Sequence, residues 1–448
     1  MTCRTCTGWS GRADGAAFLK GKRMVEIVFL TFFLGLTSGA QAVEVAVHGP
    51  VAAVEFVVDG NAVIRLGGPP WRARLDFGAS MEPHELVARA LDGEGKEVGR
   101  ARQVLNLRRP PAEVEILLEY PEKGPAGQPA GARLAWSSRL LEKPSSVLLF
   151  LDGKPVPLDD KAHAVLPAVA PEVTHILSAE VSFPNDPEAR KDLAFGGRWG
   201  DAVSSGLTAV PVRLRPGKEM PAVQDLQGWV LAGGQPVPAV AVEQSPAQLL
   251  VIRDAEAVPL LMRGNWGPSE LSLDKDDQGR FVWPYAQRAS GDGLTADLFS
   301  SADFTALDAG LPWLLARVQQ PPGKPQRLAD AVAVAGLEAL GGNRRRAVLL
   351  VLSRHPRDGS EHDAATVSRY LAAIRVPLVV WSFASPQTVA GLGWPAGEDI
   401  SFNPKLRDAF RRLAENLSSQ RILWIEGSHF PGTISLAPAA AAVVELVR

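Results

Sequence analysis

Residues 347–383 read AVLLVLSRHPRDGSEHDAATVSRYLAAIRVPLVVWSF, and this stretch decides the fold class of the C-terminal half. It contains two continuous apolar runs, 347–352 and 377–383, with helical spacing over 364–374 between them. An unbroken apolar run predicts a strand that is covered on both faces. Strand, helix and strand in this order predict a right-handed crossover within a parallel sheet.

The same alternation extends in both directions along the chain. Apolar runs predict strands at 249–252, 281–283 and 421–425, the last of them closing the sheet. Helical spacing predicts helices at 302–318 (with a start near Pro312), 327–340 and 404–417. We therefore predict an α/β doubly wound domain over 247–431, followed by a C-terminal tail over 432–448.

Upstream, short alternating strands are separated by Asp-Gly turns, which is typical of antiparallel sandwiches. The pattern from Val54 to Gly60 recurs at Val147 to Gly153, and His84 recurs at His175, which indicates an internal repeat. We predict two all-β sandwiches, 43–111 and 112–206, and a connecting β hairpin segment over 207–246. The first resembles bacterial immunoglobulin-like modules at Phe56, Asp59, Gly60, Pro69, Pro70, Trp71, Asp76, Gly78, His84, Leu86, Ala88, Ala90, Asp92 and Gly95.

The first 42 residues have the layout of a leader with a secretory signal peptide at about 24–42. A basic stretch at 20–24 precedes an apolar run at 27–36 and small residues at 40–42. The alternatives are an uncleaved anchor and a true start at Met24. Because Cys3 and Cys6 are the only cysteines, the exported chain would hold no disulfide or thiolate site. We expect a secreted or periplasmic protein with no transmembrane helix after cleavage.

Composition excludes several classes of function. The 448 residues include 47 Lys and Arg against 49 Asp and Glu, so no basic field predicts a nucleic-acid partner. A hydrophobic fraction of 46% with 21% charged residues excludes a disordered chain and a polytopic membrane protein.

The C-terminal half resembles a von Willebrand factor A domain, in particular the bacterial A-related (acidobacterial-type) family. The resemblance rests on 248–258 (QLLVIRDAEAV), 328–331 (LADA) and 349–383, and 226–237 resembles the hairpin that precedes the domain. It implies a long first helix, but 259–279 contains Gly264, Gly267 and Pro268. We therefore expect that helix to be short or missing.

Intact A domains bind a divalent cation at a metal-ion-dependent adhesion site (MIDAS) made of oxygen ligands. The resemblance places Asp254, Glu256, Val258, Gln326 and Arg354 at the ligand positions. Valine offers no ligand, and a guanidinium repels a cation. The resemblance thus implies a degenerate MIDAS with no metal and no cofactor. We hypothesise that Arg354 replaces the metal by pairing with Asp254 or Glu256; the alternative is three separate solvated charges.

Residues 353–363 form the densest cluster of reactive side chains. They leave open a metal site with His355, Asp358 and His362, a hydrolase using Ser353, or a polar loop that caps the next helix. No G-x-S-x-G motif accompanies the serine. Trp266 and Trp394 lie in Gly/Pro-rich loops, where we expect exposed contact residues.

The leading hypothesis is an exported, non-enzymatic protein-interaction or adhesion protein that uses a metal-independent A-like domain. Its expected partner is another protein or a component of the cell envelope. The alternatives are an exported hydrolase or metal-binding protein using 353–363, and a structural component of an envelope complex. The candidate interaction residues are Asp254, Glu256, Arg354, His355, Asp358, Trp266 and Trp394.

Overall fold

The computed structural model describes residues 25–448 except 32, 34–35, 108–111, 122–127, 139–142, 184–187, 198–205, 265 and 292–293. Cys3, Cys6 and the start of the predicted leader therefore lie outside the described residues. The chain divides into two compact units: residues up to 33, 40–76 and 85–103 form one, and 34–39, 77–84 and 104–448 form the other. Among the described helices, none is both long enough and apolar enough to cross a membrane.

The first unit is built from two antiparallel, sandwich-like sheets, ordered β1-β2-β5 and β4-β3-β6-β7. Each sheet has a buried apolar face, with Val45 and Leu75 on one and Phe56 and Ala88 on the other. Part of the predicted signal-peptide run forms β1, and export stays a prediction. The strands are β1 Glu26–Phe29, β2 Ala40–His48, β3 Ala53–Val58, β4 Asn61–Leu66, β5 Arg72–Asp76, β6 His84–Leu91 and β7 Glu97–Leu105.

The second β module also contains two antiparallel sheets, ordered β12-β9-β8 and β11-β10-β13-β14. Apolar side chains from both sheets share one core, including Ile116, Leu134, Leu149 and Leu177. The strands are β8 Ala112–Glu119, β9 Gly131–Ser138, β10 Ser146–Leu151, β11 Lys154–Val156, β12 His163–Val165, β13 Thr174–Ser182 and β14 Glu188–Gly196.

The predicted repeat is confirmed at its turns. Asp59 and Asp152 both adopt a φ of 50°, each followed by a glycine with positive φ. The Asp59 carboxylate accepts a hydrogen bond from the backbone N–H of Glu85 at 2.8 Å, and Asp152 accepts the equivalent bond from Ile176 at 2.9 Å. The same side chain thus ties the same hairpin to the same neighbouring strand in both modules.

The parallel sheet of the C-terminal half has the order β21-β20-β19-β23-β24-β25, with β22 beside β20. Pairs β20–β19, β19–β23, β23–β24 and β24–β25 are parallel, whereas β21 and β22 pair antiparallel with β20. Four strands come before it in the chain: β15 Leu207–Leu214, β16 Val230–Ala232, β17 Gln235–Val237 and β18 Ala239–Glu243. Its own strands are β19 Ala247–Arg253, β20 Gln278–Gly291, β21 Leu294–Ser301, β22 Thr305–Ala306, β23 Arg345–Leu352, β24 Leu378–Ser382 and β25 Glu398–Asp399.

Helices cover this sheet on both faces, as the run 347–352 predicts. Leu250 and Leu350 share a core with α3 and α4, while their neighbours Leu249 and Leu349 share the opposite core with α1, α2 and α6. The first helix has five residues, which confirms the expectation of a short one, and the second begins at Leu311. The helices are α1 Val258–Met262, α2 Leu311–Arg317, α3 Leu328–Gly341, α4 Ala364–Ala373, α5 Pro386–Gly391 and α6 Asn403–Ser418.

The expectation that 421–425 closes the parallel sheet is wrong. This segment belongs to β26, which pairs antiparallel with β15 and β18 in a separate sheet ordered β18-β26-β15-β28. A smaller sheet, β17-β16-β27, shares its core through Val230, Ile425 and Ile434. Chain segments before and after the parallel sheet therefore build one β structure together. The remaining elements are β26 Gln420–Glu426, β27 Ile434–Leu436, α7 Pro438–Ala441 and β28 Val444–Leu446.

Candidate functional site at the strand ends

Two neighbouring strands of the parallel sheet end side by side and place polar residues together. Arg253 of β19 is in register with Val351 of β23, and Asp254 and Ser353 follow the two strands. The Asp254 backbone N–H donates to the Val351 carbonyl at 2.9 Å. The carboxyl ends of parallel strands are where open α/β sheets form ligand crevices. Asp254 and Ser353 are each only 1% exposed.

The Asp254 carboxylate is satisfied by donors from its own chain. Oδ1 accepts hydrogen bonds from the Glu256 N–H at 3.0 Å and from Gln326 Nε2 at 3.1 Å. Oδ2 accepts one from the Ser353 N–H at 3.2 Å. Gln326 is itself held, because its Oε1 accepts the Ala255 N–H at 2.9 Å. A buried carboxylate needs such partners, and here neutral amides supply them.

The structure thus brings the side chains of two predicted MIDAS positions, Asp254 and Gln326, into direct contact, while Glu256 contacts Asp254 through its backbone N–H. Glu256 and Arg354 are exposed, and Val258 begins α1. Within the described residues, no ion pair joins Arg354 to Asp254 or Glu256, so the hypothesis that Arg354 replaces the metal by pairing with them gains no support and stays a prediction. The Asp254 oxygens instead accept hydrogen bonds from the Gln326 amide and from main-chain N–H groups.

Asp358 and Ser360 cap the third helix. The Asp358 carboxylate accepts the N–H groups of Leu328 and Ala329 at 2.8 and 3.1 Å, and the Ser360 hydroxyl accepts the Asp330 N–H at 3.2 Å. These donors are the first N–H groups of α3, which lack partners within the helix. Two side chains of the cluster at 353–363 therefore cap α3, which precedes the cluster in the chain.

A second carboxylate, Asp330, is held in the first turn of the same helix. His362 Nδ1 lies 2.8 Å from its Oδ1, and its Oδ2 accepts Arg327 Nε at 2.7 Å and the Glu361 N–H at 2.9 Å. Burial raises the pKa of Asp330, but these hydrogen bonds outweigh burial and lower it to about 2. The bond to Asp330 raises the pKa of His362.

The three groups of the proposed catalytic or metal cluster are not gathered at one point. His355 is exposed, and Asp358 and His362 contact α3. Within the described residues, the Ser353 hydroxyl has no hydrogen-bond partner, although nucleophilic catalysis needs a base beside it. No group of three or more Cys, His, Asp or Glu side chains in this part of the chain could hold a metal ion. The hydrolase and metal-binding alternatives stay predictions without support from these contacts.

The expectation that Trp266 and Trp394 are exposed is wrong. Trp266 is 9% exposed and lies in the core on the α6 side, and Trp394 is 5% exposed in the core on the α3 side. Their Gly/Pro-rich surroundings predict turns correctly, but these turns fold the indole rings inward. The exposed apolar side chains near the strand ends are instead Met262 (53%) and Phe402 (51%), which no periodic pattern in the sequence singles out.

A pocket of 290 Å³ opens at this end of the sheet, between the first helix and the start of α6. We call it the crevice pocket. It is lined by Leu260, Leu261, Arg263, Gly264, Trp266, Arg354, Phe383, Ile400, Ser401, Phe402, Asn403 and Leu406.

Comparison with known proteins leaves the family of this chain open. No protein-family model matches the sequence, and no curated protein matches it either. Among solved structures, fibronectin(III)-like modules of Clostridium thermocellum CbhA align with 37% of this chain and 90% of their own (17% identity, TM-score 0.16). Proximal thread matrix protein 1 from the mussel byssus aligns with 43% of this chain and about half of its own, 49% (13% identity, TM-score 0.27). At such low TM-scores, these similarities establish neither the fold nor the function of this chain.

Proposed function

We propose that this chain is an exported, non-enzymatic binding protein, in which a von Willebrand factor A-like domain holds a partner protein without a bridging metal ion. The immunoglobulin-like modules upstream would display that domain. The binding surface lies at the carboxyl ends of the parallel strands, around Asp254 and the crevice pocket.

The proposal rests on the observation that both oxygens of the Asp254 carboxylate already accept hydrogen bonds from the protein. A metal ion at this position would need the carboxylate oxygens, which already accept hydrogen bonds from Gln326, Glu256 and Ser353. A cation bound through Oδ1 would compete with the two donors on that oxygen, and displacing the half-buried Gln326 amide would lose a hydrogen bond worth about 0.5–1.5 kcal/mol. The domain can therefore keep the strand-end architecture while recognition moves to side chains around it.

The surface beside Asp254 has the mixed character of a protein interface. Phe402, Arg263 and Arg354 are exposed and all line the crevice pocket, and Met262, the residue before Arg263, exposes about half of its surface. Large apolar side chains and arginine are enriched at protein interfaces, whereas soluble surfaces seldom expose such side chains together.

Site-specific photo-crosslinking tests the proposal. Benzoylphenylalanine replaces Phe402 in one variant and Val165, a 76% exposed residue of the second module, in the control. Each variant is incubated with surface proteins of the producing organism, in Mg²⁺ or in EDTA. We expect a discrete adduct at position 402 in both buffers and none at 165. An adduct that requires Mg²⁺, or equal labelling at both positions, would contradict the proposal.

A further inference from the structure

The crevice pocket carries positive charge that the described chain does not neutralise. Arg263 and Arg354 both line it, both are exposed, and no acidic residue is among its lining residues. Within the described residues neither guanidinium forms an ion pair. Two acids on neighbouring segments are engaged elsewhere, since Asp399 pairs with Lys405 and Glu270 pairs with Arg407 at 3.2 Å.

The walls of the pocket are apolar. Leu261, Ile400 and Leu406 are nearly fully buried around it, and the half-exposed Phe402 stands at its rim. A volume of 290 Å³ is at the lower limit of ligand pockets, which hold roughly 300–1,000 Å³, so it suits one or two side chains rather than a large cofactor. An apolar recess with unmatched cations at its edge is complementary to an apolar group that carries a carboxylate nearby.

We propose that the crevice pocket binds an acidic residue next to a large apolar residue in an exposed segment of a partner protein. The apolar side chain enters the recess, and the carboxylate contacts Arg263 and Arg354 directly. This inference rests on the proposed function and names the chemistry of its partner. Guanidinium groups suit a carboxylate because they present several N–H donors in a planar fork.

Two peptides test this inference: acetyl-SLFDS-amide and its neutral twin acetyl-SLFNS-amide. Saturation-transfer NMR titrations of the full chain give both dissociation constants. We expect the acidic peptide to bind about tenfold more tightly, because two exposed ion pairs each contribute a few-fold. Arg263→Gln and Arg354→Gln should each reduce that preference by about threefold. Arg133→Gln, an exposed arginine on the second module, is the matched control and should change nothing.

Each other outcome overturns the inference. Equal binding of the two peptides, no binding of either at millimolar concentration, or unchanged affinity in both pocket variants would show that the guanidinium groups do not select a carboxylate. Binding to phosphatidylglycerol vesicles without peptide binding would assign the cations to a lipid surface instead. Melting temperatures of the variants confirm folding. A metal-independent adduct at position 402 together with failed peptide binding would leave the proposed function standing and this inference refuted.

Discussion

Glu243, at the end of β18, is a buried carboxyl group that should make the stability of the chain depend on pH near neutrality. It is 6% exposed, and within the described residues its Oε2 has no hydrogen-bond partner. Burial raises the pKa of Glu243 from 4.5 to about 7, although the charge of Arg190 acts in the opposite direction.

The sign of the effect follows from the two protonation equilibria. Below pH 4.5 the group is protonated in the folded and the unfolded chain, so it has no effect on stability. Between pH 4.5 and 7 the unfolded chain loses this proton first, and folding becomes less favourable as the pH rises. Above pH 7 the carboxyl group is ionised in both states, and its full destabilising effect on the folded chain is present. A shift from 4.5 to about 7, at 1.36 kcal/mol per pKa unit, is about 3 kcal/mol.

Urea denaturation of the wild type and Glu243→Gln at pH 5 and pH 8 measures this effect. Glutamine is neutral at both pH values, so the variant should be nearly as stable as the wild type at pH 5. At pH 8 it should be more stable by up to about 3 kcal/mol. Glu172→Gln, an exposed loop position, is the control and should change neither value. A variant that is less stable than the wild type at pH 8 would refute the assignment of a buried, unsatisfied carboxylate.

Three further predictions concern the turns and the α3 cap. Gly153→Ala should destabilise the folded chain by at least about 2 kcal/mol more than Gly60→Ala, and thermal melts of both variants test this. A Cβ at Gly153 would lie 2.7 Å from Ser245 Cα, whereas a Cβ at the repeat-related Gly60 would have nothing within 4 Å. Asp330→Asn should lower the unfolding free energy, measured in urea, by about 2 kcal/mol at pH 7, because the pKa of the Asp330 carboxyl falls from 3.8 to about 2 on folding. This stabilisation is complete above pH 3.8 and is lost as the pH falls to about 2. Asp358→Ala should reduce stability by about 1–2 kcal/mol through loss of the cap, and an unchanged melting temperature would contradict that role.

Local pattern was enough to predict the parallel sheet and its main helices. The helices predicted over 327–340, 364–374 and 404–417 begin and end within about a residue of the observed ones. The run 347–352 is buried along its whole length because its alternate residues pack on opposite cores. These features depend on residues that are close together in the chain, so the local sequence pattern is sufficient to predict them.

Features that depend on distant partners were not predictable. The segment 421–425 reads as a buried strand, but nothing in it specifies that β15, about 200 residues earlier, is its antiparallel neighbour. The resemblance placed Gln326 near Asp254 but gave no reason to expect its amide as a donor to that carboxylate. Likewise, glycine and proline around Trp266 predict a turn without showing what packs beneath it.

The central claim is that the surface at the strand ends, around Asp254 and the crevice pocket, binds its partner without a metal ion. Isothermal titration calorimetry of the chelator-treated chain with Mg²⁺, Mn²⁺ and Ca²⁺ tests it, with Asp254→Ala as the matched control. We predict no saturable heat and no rise in melting temperature for either protein. Saturable binding of any of these ions to the wild type that is lost in Asp254→Ala would contradict the account.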